Sequence, residues 1–191
     1  MRIAVAGTHA SGKSTLVADF LAAHREYEHE PEPYEWLDED LEAPDAGSFF
    51  RQLQLAVRSS GEHGPGERAI AERSPLDFLA YLMALDELDR GGRSADLTAR
   101  AEPLAAAGMR CIDLLVVLPL GSGSDRIDVD GSEDPALREA MNDVLLELVH
   151  DTGLVGEHAA VVEISGTPVQ RLAALEAALA ASVAPDDVRR G

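Results

Sequence analysis

The chain has 191 residues, 46% apolar and 27% charged, and this balance is typical of one globular domain. The net charge of −19 argues against nucleic acid or anionic lipid as the main partner, because each requires a large basic face. The chain has one cysteine, no signal-peptide pattern and no apolar run of ~20 residues, which predicts a cytoplasmic protein without a membrane span. We expect the thiol of that residue, Cys111, to be buried at the head of an apolar strand.

Strand-like and helix-like runs alternate along the whole chain. The first strand, RIAVA, is followed by helical spacing of apolar residues, and the prolines of EYEHEPEP exclude a helix there. We expect the helix that contains Pro103 to be interrupted near that residue. The strands are predicted at 2–6, 26–33, 67–74, 111–120 and 159–165, and the helices at 13–24, 49–60, 75–88, 94–108, from 134–135 onward, and from 167–168 onward.

Two of the helices have clear start signals. Ser74 can cap the third helix, Pro75 fits its first turn, and Asp77 lies three residues after the cap. Thr167 and Gln170 have the spacing of a capping box before the last helix. These signals make the starts of both helices the best-defined element boundaries in the sequence.

The alternation predicts an α/β fold with a parallel sheet covered by helices on both faces. No repeat or composition break divides residues 1–184, so we expect a single domain followed by a flexible tail at 185–191. The polar stretch 121–134 has no apolar periodicity and is either a functional lid or a plain surface loop.

The segment GTHASGKS, which lies between the first strand and the first helix, matches the P-loop pattern G-x-x-x-x-G-K-S. Its glycines let backbone N–H groups turn toward a phosphate, the ammonium of Lys13 reaches the outer phosphates, and the Ser14 hydroxyl can bind Mg²⁺. Lys13 is the only lysine among 16 cationic residues. His9 either contacts a phosphate or is a spacer that points away, and we favour the spacer. The predicted ATP-binding residues of this loop are Gly7, Thr8, His9, Ala10, Ser11, Gly12, Lys13, Ser14 and Thr15.

Two further stretches distinguish among P-loop proteins. The sequence has no N-K-x-D motif of the kind that GTPases use to read a base. EPYEW at 32–36 and ERS at 72–74 resemble the E-P-x-x-W and E-R-S elements of deoxynucleoside kinases. GTHASGKST and ERSPLDFLAY are also similar to NadR/nicotinamide-riboside-kinase-like proteins and AAA-family ATPases. This resemblance implies a P-loop NTPase fold, a three-layer sandwich with a five-stranded parallel sheet in the kinase-like order 2-3-1-4-5 and a lid segment.

The same resemblance implies roles for the charged residues of both motifs. Glu32 matches the carboxylate that takes the proton of the attacking hydroxyl, and Glu30 is the competing candidate. Glu72 matches a carboxylate near Mg²⁺, and Arg73 matches an arginine at the acceptor and the transferred phosphoryl group. Open parallel sheets bring such groups together at the carboxyl ends of their strands.

The resemblance also places other residues around the two substrates. Tyr34 and Trp36 line an acceptor pocket or pack in the core, and FFRQLQ resembles a helix that carries the acceptor base. Arg126 belongs to the lid, which is poorer in arginine than the lids of deoxynucleoside kinases. The candidates on the helix are Phe49, Phe50, Gln52 and Gln54, and those beside the adenine are Gly166 and Thr167.

These observations predict an ATP- and Mg²⁺-dependent kinase that transfers the γ-phosphoryl group to a hydroxyl of a small, nucleoside-like metabolite. An ATP-binding regulatory switch without a small-molecule acceptor is the alternative, and the acid-rich, arginine-poor lid suits it. A nucleoside monophosphate as acceptor is disfavoured by the few basic residues that could hold a second phosphate. A homodimer is compatible with all three interpretations.

Overall fold

A computed structural model describes residues 1–33, 45–62, 67–90, 94–121 and 134–183. In these ranges, strands and helices alternate as the sequence predicts, and a short helix, α6, is added before the last strand. The elements are β1 (Arg2–Ala6), α1 (Lys13–Ala23), β2 (Glu28–Glu30), α2 (Ala46–Glu62), β3 (Ala69–Glu72), α3 (Pro75–Glu87), α4 (Ser94–Met109), β4 (Leu114–Val117), α5 (Pro135–Leu148), α6 (Thr152–Val155), β5 (Ala160–Glu163) and α7 (Pro168–Val183).

All five strands are parallel and form one sheet in the order β2-β3-β1-β4-β5, which confirms the predicted fold class and strand order. β1 lies at the centre, where Ile3 is opposite Ile70 of β3 on one side and Leu114 of β4 on the other. Every residue of β1 is buried, because helices cover both faces of the sheet.

Successive side chains of each strand point to opposite faces, so β1 and β4 contribute to two separate cores. On one face, Ala4 and Leu115 pack beneath α2, α3, α4, α5 and α6. On the other face, Ile3 and Leu114 pack against α1 and α7. The sheet is therefore the middle layer of a three-layer sandwich, and its carboxyl-terminal edge faces the starts of α1 and α3.

Both predicted capping boxes are confirmed. The Asp77 carboxylate accepts hydrogen bonds from the backbone N–H and the hydroxyl of Ser74. The Gln170 side chain accepts from the Thr167 N–H at 2.9 Å, and the Gln170 N–H donates to the Thr167 hydroxyl at 3.4 Å. Each box satisfies N–H groups that the first turn of a helix cannot bond internally.

Two local predictions are wrong. Cys111 is exposed, because the chain turns after α4, where Cys111 N–H donates to Gly108 C=O, and β4 begins only at Leu114. α4 continues through Pro103 without interruption. The carbonyl that loses its helical partner is that of Ala99, and both Ala99 and Pro103 are exposed, so water can bind it.

The predicted lid and tail lie outside the described residues, because the ranges 122–133 and 184–191 are not among them. Within the ranges that are described, none of the helices combines the length and the apolar character that a bilayer crossing requires.

Candidate functional site

The P-loop joins β1 to α1 through a backbone that only glycine permits at two points. Gly7 has φ of 151°, and a Cβ atom there would lie 2.6 Å from Ser11 Oγ and 2.7 Å from Leu118 O. Gly12 adopts a left-handed conformation, with φ of 94°, immediately before the first residue of α1. The positive end of α1 therefore points into the loop, which is the arrangement that binds phosphate.

Lys13 is buried inside this loop. Its Nζ atom donates a hydrogen bond to Thr8 C=O at 2.9 Å, and only 4% of the residue is exposed. Burial, followed by the nearby Arg73 charge, lowers the pKa of Lys13 to about 8, against opposing effects of Asp77, Glu32 and Glu72. Desolvation therefore weakens the hold of this lysine on its proton, and a polyanion in the loop would favour its charged form.

The first helical turns of α3 bind the outer side of the loop through two side chains four residues apart. Asp77 is fully buried, and its Oδ1 atom accepts from the Gly7 N–H at 2.9 Å. The Tyr81 hydroxyl accepts from the His9 N–H at 3.2 Å. Burial raises the pKa of Asp77, while Arg73 and Lys13 oppose that rise.

Two buried arginines bind the outward-facing carbonyl groups of the same loop. Arg138 of α5 donates from Nε to His9 C=O at 2.9 Å and from Nη2 to Ala10 C=O at 3.1 Å. Arg171 of α7 donates from Nη1 to Ser11 C=O at 2.6 Å and from Nε to Gly166 C=O at 2.8 Å. The imidazole of His9 is exposed, and the contacts of its backbone fit the role of spacer.

The sequence prediction did not include these supporting roles for Asp77, Tyr81, Arg138 and Arg171. The sequence does contain one indication for Asp77 and Tyr81, because a spacing of four residues places both on the same face of the helix. A second was the arginine at 138, which interrupts an otherwise apolar face of the helix between Leu137 and Met141.

Ser14 and Glu72 meet at the start of α1 and the end of β3. The Ser14 hydroxyl donates to Glu72 Oε1 at 2.6 Å. Partial burial raises the pKa of Glu72, the hydrogen bond from Ser14 opposes this, and the nearby Glu32 raises it further. A hydroxyl beside a carboxylate is a donor set that suits Mg²⁺, which takes few protein ligands and keeps waters or phosphate oxygens. No group of three or more His, Cys, Asp or Glu side chains in the described ranges is arranged to hold a metal ion.

Glu32 and Arg73 form an ion pair at the ends of β2 and β3. Arg73 Nε donates to Glu32 Oε2 at 3.0 Å, and about a tenth of each side chain is exposed. Arg73 has a positive φ of 87°, which is strained for a residue with a side chain and holds its guanidinium at this edge of the sheet. Burial alone would lower its pKa, but Tyr81, Glu32 and Asp77 together raise the pKa of Arg73. Its Nη1 atom is buried and bonds to nothing in the described residues.

Glu30 faces a different environment from Glu32. Both of its carboxylate oxygens accept hydrogen bonds from Arg2 Nη2, and Ser59 Oγ donates to one of them. Glu30 therefore joins β1, β2 and α2 in a buried ion pair. A cleft with about 310 Å³ of empty volume, open to solvent, extends from this pair to Arg73.

The acceptor-side candidates on α2 divide by burial. Phe49 and Phe50 lie in the core, where Phe49 stacks on Tyr81 and the Arg100 guanidinium lies 4.8 Å from the centre of the Phe50 ring. Gln52 is buried, with 6% exposed, whereas Gln54 is exposed. The other candidates on this side and in the lid, Tyr34, Trp36 and Arg126, lie outside the described residues.

The predicted adenine loop lies beside the P-loop, because Arg171 binds carbonyl groups of both. Gly166 has a positive φ of 101°, and a Cβ atom there would lie 2.7 Å from Gln170 Oε1. Thr167 is exposed and serves as the cap of α7.

No family model matches the sequence, and no curated protein matches it. Solved structures do resemble it: thymidylate kinase from Candida albicans has a TM-score of 0.68 at 16% identity, over 94% of this chain and 91% of that one. Deoxyadenosine kinase from M. mycoides, with bound dATP, has a TM-score of 0.67 at 16% identity, over 94% and 100%. A NadR protein in complex with NR has a TM-score of 0.66 at 13% identity, over 96% of this chain and 51% of that one. The chain therefore has the fold of P-loop kinases, as its motifs predict.

Proposed function

We propose that this protein transfers the γ-phosphoryl group of ATP to a hydroxyl group of a small, nucleoside-like metabolite. One observation carries the proposal: the Glu32–Arg73 ion pair lies at the carboxyl end of the sheet beside the buried ammonium of the P-loop. A P-loop alone serves many activities, but a carboxylate and a guanidinium next to it provide what a second substrate needs.

Each charged residue then has a distinct task in the transfer. Lys13 and Arg73 stabilise the negative charge on the oxygens of the moving phosphoryl group. Glu32 accepts a hydrogen bond from the attacking hydroxyl and takes its proton as the new P–O bond forms. The ion pair with Arg73 keeps that carboxylate in place before the acceptor arrives.

Ser14 and Glu72 would hold Mg²⁺, directly or through a water molecule, together with the phosphate oxygens of ATP. The ion would add positive charge where the phosphates carry negative charge. The remaining predicted roles belong to the same proposal: Gly166 and Thr167 beside the adenine, Arg126 as a phosphate clamp, and Tyr34 and Trp36 at the acceptor.

The charges around α2 favour an acceptor that carries no phosphate of its own. Of the described arginines on and beside α2, Arg2 is paired with Glu30, Arg100 lies over the ring of Phe50, and Arg51 and Arg58 are exposed on the outer side of the helix. Arg73 already serves the transferred group. A nucleoside therefore fits these charges better than a nucleotide.

The test is a measurement of ADP release from Mg·ATP in the presence of single candidate acceptors. The panel contains ribonucleosides, deoxynucleosides, nicotinamide riboside and thymidine monophosphate, and phosphorylated product is identified by mass spectrometry. We expect one class of uncharged or cationic nucleosides to accelerate ADP release, and the Lys13→Ala variant to show no acceleration. If no member of the panel accelerates ADP release, the kinase proposal fails and the regulatory switch is favoured.

A further inference from the structure

Tyr81 contacts three parts of the candidate site at once. Its hydroxyl accepts a hydrogen bond from the His9 N–H of the P-loop at 3.2 Å. Its ring stacks on Phe49 of α2, with 4.4 Å between the ring centroids and 3° between the ring planes. The Arg73 guanidinium carbon lies 5.6 Å from the centre of the same ring. Only 7% of Tyr81 is exposed, so these contacts hold the side chain in one position.

These contacts have different physical consequences. The stack on Phe49 fixes the plane of the ring, and that plane in turn fixes where the hydroxyl oxygen meets the P-loop. The ring face also stabilises the nearby guanidinium, because a cation is attracted to the electron-rich face of an aromatic ring. A displacement of α2 would therefore move the partner of His9 and the support of Arg73 together.

We propose that Tyr81 is a positioning residue that couples the position of α2 to the P-loop and to Arg73. It touches neither of the proposed substrates and acts through His9 and Arg73. Asp77 differs in this respect, because the hydrogen bonds of its carboxylate within the described residues go to Gly7 of the P-loop and to Ser74 at the start of its own helix. The proposal that α2 responds to the acceptor rests on the proposed function. The link from α2 to the P-loop is independent of that function.

The link is tested with Mg·ATP alone, in a double-mutant cycle read out by calorimetry. Tyr81→Phe keeps the ring and removes the hydroxyl, and we expect about 3- to 10-fold weaker ATP binding, the effect of one hydrogen bond. Phe49→Leu removes the stack, and we expect about threefold weaker binding in the wild-type background. In the Tyr81→Phe background we expect no further loss from Phe49→Leu, since the route to the loop is already broken.

Additive effects of the two substitutions, or unchanged ATP affinity in Tyr81→Phe, would overturn the proposal. Arg100→Gln is the matched control, because it removes a contact of the neighbouring Phe50 ring of α2 and should leave ATP affinity unchanged. Melting temperatures of all variants are measured in parallel, and if Phe49→Leu does not fold, Phe49→Met replaces it in the cycle.

A second measurement uses the acceptor found in the panel. In the wild type we expect that acceptor to tighten Mg·ATP-analogue binding, and in Tyr81→Phe we expect this tightening to be lost while the melting temperature changes little. A merely structural residue would lower stability and leave the tightening intact. If no acceptor is found, the proposed function fails, and the cycle with ATP alone still decides whether Tyr81 links α2 to the P-loop.

Discussion

Glu30 and Glu32 are two residues apart at the carboxyl end of β2, and glutamine substitutions at each should have opposite consequences. Glu32 lies against Arg73 beside the P-loop, whereas Glu30 is bonded to Arg2 and Ser59. Glutamine matches the shape of glutamate and keeps one oxygen as a hydrogen-bond acceptor, but it has no charge and cannot take a proton. The pair of variants therefore separates a catalytic carboxylate from a structural one.

The magnitudes follow from these environments. General bases contribute roughly 10²- to 10⁴-fold to rate, so Glu32→Gln should lower kcat by at least about 10²-fold. Its effect on ATP affinity should be small, because the Glu32 carboxylate pairs with Arg73 rather than with the backbone of the P-loop. In contrast, Glu30→Gln removes one charge of the buried ion pair between Glu30 and Arg2, and breaking such a pair typically costs about 3–5 kcal/mol. In a domain of this size, we expect a loss of about 6–20 °C in melting temperature.

Both variants are assayed well below their melting temperatures, with kcat from the acceptor-dependent release of ADP and stability from thermal unfolding. Glu30→Gln should keep kcat within about threefold of the wild type, because its carboxylate is committed to the ion pair with Arg2. The assignment of Glu32 as base is refuted if Glu32→Gln turns over normally. A loss of turnover in Glu30→Gln with normal stability would transfer that role to Glu30.

Three further outcomes follow from the loop and its supports. Because burial lowers the pKa of Lys13 to about 8, most of the free protein lacks the proton of this ammonium at pH 9. ATP binding should therefore take up close to one proton at pH 9 but almost none at pH 7. Calorimetry in buffers of different ionisation enthalpy measures this uptake. Asp77→Asn places an amide donor against the N–H groups that the carboxylate now accepts from. The substitution should lower the free energy of unfolding by about 1–3 kcal/mol and weaken ATP binding. Unchanged values of both would exclude a role of Asp77 in the loop. Gly7→Ala meets Leu118 O at 2.7 Å and should destabilise the fold by about 1–3 kcal/mol in urea unfolding, whereas Gly61→Ala in α2 has open space around its Cβ and should not.

The parts of the site that the sequence predicted are those defined by local spacing. The P-loop is contiguous, its strand and helix flank it directly, and its glycines occupy the two positions where the backbone needs them. The strand order followed from the resemblance to kinases, and the end of β3 brings Glu72 to Ser14 as expected.

What the sequence did not predict depends on contacts between residues far apart in the chain. Arg138 is 129 residues from His9, and Arg171 is 160 residues from Ser11, so neither pairing has a local signature. The exposure of Cys111 was missed for a related reason, because an apolar run does not show where the preceding helix ends. These contacts and the end of α4 depend on how distant elements pack together, and local sequence patterns do not show this.

The contacts of the two buried arginines also explain how a chain of net charge −19 can hold a triphosphate. Among the described residues, four cations, Lys13, Arg73, Arg138 and Arg171, lie buried or nearly so around one loop, against the nearby acids Asp77, Glu32 and Glu72. Arg138 and Arg171 bind the outward-facing carbonyl groups of residues 9–11, so the negative ends of these peptide dipoles point away from the loop interior. A phosphate in the loop then meets N–H groups and positive charge at short range, where salt screens little, and the distant acids contribute weakly.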